Sequence, residues 1–172
     1  MGSAISFGGS GGLKLIGQQA ATLGTETSLS VAAIPDTFTN LVVDVALRGT
    51  TAGNIIGGIT FNGDNTASYS SQRDGGDGNT ASAFTAVGTA NSRFIFPGSD
   101  YPANQFAKYR SLVTDYTNTD FIKSLDAAGG MHGIGVFNFS VLWDLTSVID
   151  EIGVTTNVGA LAVGSYIRVY GE

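Results

Sequence analysis

The chain has 172 residues and a formal net charge of −6, enough length for one domain with a real core and too little for two. Its eight Lys and Arg residues are scattered, which argues against a surface that tracks nucleic-acid phosphates. The absence of Cys excludes disulfides, thiolate metal sites and cysteine nucleophiles. Charged residues make up 13% of the chain, against about 25% in ordinary soluble domains. Its surface must therefore be built from Ser, Thr, Asn and Gly, or be partly covered by other protein.

The first twelve residues, MGSAISFGGSGG, are Gly and Ser with few apolar anchors. Such a stretch loses too much backbone entropy to order alone, so residues 1–12 read as a flexible arm. They have neither the basic nor the apolar region of a secretory signal. An arm of this kind orders on a neighbour, which makes Ser6, Phe7, Gly8, Gly9, Ser10, Gly11 and Gly12 the candidate partner-binding residues.

Residues 13–172 read as a single β-sandwich domain. Leu41, Val43, Val45 and Leu47 alternate with Val42, Asp44, Ala46 and Arg48, the pattern of a strand with one face on a core. The clearest alternation sets Phe137, Phe139, Val141, Trp143 and Leu145 against Asn138, Ser140, Leu142, Asp144 and Thr146, positions that a helix would scatter around its circumference. Further strands are expected over 13–16, 27–31, 55–62, 68–73, 93–96, 106–116, 147–155 and 166–170. Turn chemistry separates them at Ile34-Pro35-Asp36, Asn62-Gly63-Asp64, Asp74 to Asn79, Pro97-Gly98 and Gly129-Gly130. Single helical turns are expected within Thr119–Ala128 and Asp100–Gln105. About ten short strands with regular turns predict an all-β, antiparallel, jelly-roll-like sandwich. No apolar run approaches the ~18 residues of a membrane span.

Candidate chemistry is sparse. His132, the one histidine, stands in Gly130-Met131-His132-Gly133 with no local nucleophile or orienting acid, as a loop residue would. Gly8 to Gly12 matches G-x-S-x-G in letters only, because a nucleophile elbow needs a strand before it and a helix after it. The acidic stretch Asp74–Asn79 fits neither calcium-loop template and reads as a solvated Gly-rich hairpin tip, with a cation site shared with Asp64 as the alternative. Asp150 and Glu151 are adjacent, so in a strand they would face opposite ways rather than pair for glycoside hydrolysis. The sequon Asn138-Phe139-Ser140 falls inside the best strand. Tyr69, Tyr101 and Tyr109 are the least core-like aromatics and hence the candidates for stacking on a sugar, whereas Trp143 reads as core.

Several stretches form an ordered set. Leu15-Ile16-Gly17 is followed by Ala33-Ile34-Pro35-Asp36-Thr37-Phe38-Thr39-Asn40-Leu41. Next comes Phe61-Asn62-Gly63-Asp64, with Tyr69 and Gln72 soon after, and last Gly164-Ser165-Tyr166-Ile167-Arg168-Val169-Tyr170-Gly171. Across residues 13–172 this set resembles a widespread group of small tailed-bacteriophage virion proteins, with Val169 where that group usually has Leu. The resemblance implies a jelly-roll-like sandwich, usually a homotrimer, displayed on the particle as a head decoration (cement) protein or as part of a tail fibre. It implies no catalytic residues and no cofactor. The leading expectation is a non-enzymatic decoration protein on the capsid surface, bound to the major capsid protein and not to nucleic acid or membrane. The alternative is a tail-fibre head that recognises a host surface glycan, although no heptad-bearing shaft is present.

Overall fold

A computed structural model describes residues 12–172, so Ser6 to Gly11 lie outside the described residues, and Gly12 is exposed. Runs of β-branched and aromatic residues between Gly, Asn and Asp turns build strands. In chain order these are β1 (Lys14–Ala20), β2 (Ser28–Val31), β3 (Asn40–Leu47), β4 (Asn54–Phe61), β5 (Tyr69–Gly76), β6 (Ala81–Thr89), β7 (Phe94–Pro97), β8 (Ala107–Thr114), β9 (Lys123–Met131), β10 (Gly135–Trp143), β11 (Ile152–Thr156) and β12 (Tyr166–Gly171). Among the described residues no helix forms.

The strands make two antiparallel sheets, one ordered β1-β12-β3-β8-β9-β10-β5-β6 and the other β2-β11-β4-β7. The chain crosses between them repeatedly, β1 lying in the large sheet, β2 in the small, β3 in the large and β4 in the small. This gives the sandwich its jelly-roll-like character.

Alternation decides which side chains enter the core. Along β10, Phe137, Phe139, Val141 and Trp143 are buried while Val136, Asn138, Ser140 and Leu142 face out. Two aromatic clusters bridge the sheets. Phe94 of the small sheet lies 4.7 Å from Phe139 and 4.8 Å from Tyr109 of the large one. Phe61 lies 5.5 Å from Trp143 and 6.2 Å from Tyr69. Each such pair contributes about 0.5–1.5 kcal/mol beyond its buried area. Close backbone approach fixes Gly58 in β4, because a Cβ there would stand 1.6 Å from the Ser92 carbonyl oxygen.

Several expected elements are corrected. The helical turn expected within Thr119–Ala128 is replaced by β9, whose Lys123, Leu125 and Ala127 alternate inward. Residues 100–105 form turns only. Gly129-Gly130 lies inside β9 rather than in a turn; a Cβ on Gly129 would meet the Lys108 carbonyl oxygen at 2.0 Å, so the strand needs glycine for contact with β8. The hairpin turns instead at Met131–Ile134, closed by the Ile134 N–H donating to the Met131 carbonyl at 3.1 Å. The strand expected over 147–155 begins only at Ile152, and β10 stops at Trp143, leaving Leu145 exposed. An unexpected strand, β6, forms one edge of the large sheet.

Candidate interaction surface

The residues that carry the resemblance hold backbone in place. Gly17 sits at a bulge where β1 pairs with β12, and a Cβ there would come within 2.7 Å of Val31. The Pro35 carbonyl accepts the hydroxyl of buried Tyr116. Asn62 adopts a left-handed conformation (φ 53°), tolerated by asparagine better than by most residues. Its side-chain oxygen accepts the N–H groups of Asp150 and Glu151 at 2.9 and 3.2 Å, and its amide donates to the Val148 carbonyl at 2.7 Å. One side chain thereby holds the loop between β10 and β11. Ser165 is fully buried and exchanges hydrogen bonds of 3.1 Å with the backbone of Arg48.

Asp64 follows the same turn. Its carboxylate accepts the Trp143 indole N–H at 2.7 Å, the Thr66 hydroxyl at 2.6 Å and the Thr66 backbone N–H at 2.9 Å. Burial works against its ionisation, yet the bonds from Thr66 and Trp143 outweigh it and hold the carboxyl at about 2. Asp64 and Asp77 stand beyond opposite ends of β5, separated by about 23 Å of strand. The cation site shared by Asp64 and the 74–79 tip therefore does not form. Among the described residues no group of three or more His, Asp and Glu side chains is placed to hold a metal ion.

Two of the three candidate sugar-stacking tyrosines belong to the core. Tyr69 is 0% exposed and Tyr109 2% exposed. The Tyr69 hydroxyl accepts the Phe61 N–H at 2.8 Å, and the Tyr109 hydroxyl donates to the Ile95 carbonyl at 2.5 Å. Burial raises both phenols well above their ordinary value. Tyr101 is half-buried and donates to the Asn54 side chain at 2.8 Å. Trp143 is a core residue. His132 is exposed at the β9–β10 turn. Asn138 faces out from β10 and donates to Asp74 at 3.4 Å. Asp150 and Glu151 sit in the loop before β11, not in a strand.

The large sheet presents an outer face eight strands wide. Across its middle, Arg168, Asp44, Arg110 and Ala128 stand side by side on β12, β3, β8 and β9. Arg110 pairs with Asp44 at 2.9 Å, and Ser140 donates to Asp126 at 2.8 Å, so several of the charges already have partners on this face. Arg110, Leu112, Asp126, Ala128, Asn138 and Ser140 line a shallow groove of about 400 Å³ there.

Exposed apolar side chains stand at both ends of the sandwich, and others, Leu15, Val87, Val136 and Leu142, lie along β1, β6 and β10. Phe121 (68% exposed), Ile122, Leu145 and Val148 stand on the loops after β8 and β10, above buried Lys123, whose ammonium donates to the carbonyls of Phe121 and Thr146 at 3.3 and 3.4 Å. Leu23, Val158 and Val163 stand at the opposite end.

Sequence reasoning missed one further grouping. Arg73 of β5 places its guanidinium 5.3 Å from the centre of the Phe84 ring and 5.1 Å from that of Phe137, while Arg93 lies 5.2 Å from Phe84. Neither arginine has a hydrogen-bond or carboxylate partner among the described residues, and the Arg73 Nε is buried without one. Arg73 and Arg93 are twenty positions apart, so no local signal marks them.

Comparison with known proteins brings no match: no family model, no curated protein and no solved structure resembles the chain closely enough to count.

Proposed function

We propose that the protein is a non-enzymatic structural protein of a tailed-bacteriophage virion, a decoration (cement) protein that binds the major capsid shell as a homotrimer and stiffens it by adding interface. One observation carries this reading. Four residues of the ordered set that resembles such proteins, Gly17, Pro35, Asn62 and Ser165, act as backbone supports. What such a scaffold offers the outside is surface: a wide sheet face with internally paired charges and apolar residues at both ends. Low charge and exposed apolar side chains suit a face that is covered in an assembly. The glycan-binding alternative loses two of its three tyrosine platforms to the core.

The test is attachment to empty capsids measured by co-sedimentation, with the parent particle imaged by electron microscopy. Saturable binding and density on the head are expected. Density on the tail, together with glycan-array binding, would overturn the reading in favour of a fibre head. Removing residues 1–12 is expected to lower capsid occupancy; undiminished binding removes the arm from the mechanism.

A further inference from the structure

Among the described residues four strands form the free edges of the two sheets: β1 and β6 of the large sheet, and β2 and β7 of the small. An open edge offers unpaired N–H and C=O groups to any passing strand, so proteins blunt edges with charge, proline, bulges or short length. Three of the four edges here are blunted. β1 carries Lys14 and a bulge at Leu15/Gly17. β2 has only four residues, and its Ser30 N–H is taken by the Gln19 side chain. β7 also has four residues and ends in Pro97.

β6 is different. Its nine residues, ASAFTAVGT, contain no charge and no proline, and Val87 is 76% exposed. The hairpin is closed by the Asp77 N–H donating to the Thr80 carbonyl. From that bond, antiparallel alternation turns the N–H and C=O groups of Ala81, Ala83 and Thr85 away from β5.

We infer that the β6 edge is a docking site for an extended segment of a partner protein carrying carboxylates on one face, which adds as a further strand of the large sheet. The acidic character follows from the uncompensated guanidiniums of Arg73 and Arg93, which gather on Phe84 at the flank of this edge. A carboxylate from an added strand would supply the partner that the chain itself lacks, in the favoured planar guanidinium–carboxylate geometry. A second copy of the chain fits poorly. Two-fold pairing of β6 with itself continues the same face through both sheets, which brings two such arginine clusters onto one surface with like charges opposed. The inference concerns strand addition only and does not depend on the virion reading.

The probe is a pair of capped peptides matched in length to β6, alternating Thr and Val, one with Asp at two alternate positions and the other with Lys there. Binding is followed by amide shifts and by hydrogen exchange at Ala83 and Thr85. The Asp peptide is expected to slow exchange at both amides and to bind at least about ten-fold more tightly than the Lys peptide, a difference that shrinks with added salt. Thr85→Pro keeps the ladder to β5, since that N–H points outward, and is expected to abolish binding. Arg93→Gln touches no backbone bond and is expected to erase most of the preference for Asp, so the test survives if the proline variant misfolds. Equal binding of the two peptides overturns the inference. So does slow exchange at Thr85 in the protein alone with a solution mass that Thr85→Pro halves, because a second copy would then hold the edge.

Discussion

Replacing Asp64 by Ala removes one carboxylate that serves two parts of the fold at once. The indole N–H of Trp143, in a side chain 1% exposed, loses its acceptor at 2.7 Å, and the Thr66 N–H and hydroxyl lose theirs. Thr66 is exposed and water can replace its bonds, so the indole dominates the cost. A hydrogen bond to a charged group contributes about 1.5–3 kcal/mol, and a buried donor left unsatisfied costs about 1–3 kcal/mol. The expected loss is about 3 kcal/mol, or roughly 6–12 °C in melting temperature for a chain of this size. Trp143 is the single tryptophan, so its fluorescence in a urea titration reads this site without interference. Asp64→Asn keeps an acceptor oxygen and should cost less. It should also remove an acid transition. The carboxyl titrates near 4 in an unfolded chain and is held at about 2 when folded, so its stabilisation is complete above pH ~4 and disappears as pH falls toward 2. A loss below about 0.5 kcal/mol for Asp64→Ala, or an acid limb unchanged in Asp64→Asn, would show that the indole–carboxylate bond does not hold the turn to β10.

Two further outcomes are expected. Gly58→Ala places a Cβ 1.6 Å from the Ser92 carbonyl oxygen, in a segment between β6 and β7 that is bonded to Ile59 through the Ser92 hydroxyl and N–H and cannot yield cheaply, and should give insoluble protein or a melting temperature lowered by more than 10 °C, on the order of 3 kcal/mol or greater. Tyr69, Tyr109 and Tyr116 all have phenols raised by burial. Above pH ~10 the unfolded chain therefore loses these protons before the folded one does, and stability falls with rising pH. Absorbance at alkaline pH should show three tyrosines ionising only with unfolding, and smooth titration of all six in the folded state would contradict their placement.

The legible part of the fold was the part in which large apolar and polar side chains take turns. β10 shows this best, since Phe137 to Trp143 declare both their period and their buried face. β9 escaped because a lysine occupies its first core position and because Ala and Gly carry too little apolar weight to mark a face. Lys123 is tolerated there only because two loop carbonyls meet its ammonium, one of them Thr146 from a segment 23 residues further along the chain. β6 escaped for a related reason, as Ala, Ser, Thr and Gly pair well in a ladder while saying little about hydropathy. Tyr69 and Tyr109 read as the least core-like aromatics, yet each hydroxyl finds a backbone partner across the sandwich. Sequence reveals a residue's polarity but not the distant group that satisfies it. Ser6 to Gly11, the candidate partner-binding residues of the sequence, lie outside the described residues.

β1 and β12 lie side by side and run in opposite directions, with Lys14 opposite Gly171 and Ala20 opposite Tyr166. Tension applied through Lys14 and Gly171 would therefore open their ladder one rung at a time, like a zipper, instead of shearing all its bonds together. A tether on one of these flanks alone leaves the ladder unloaded. Mechanical resistance should thus depend strongly on where the molecule is gripped, and pulling between Lys14 and a point on a distant strand should demand much the greater force.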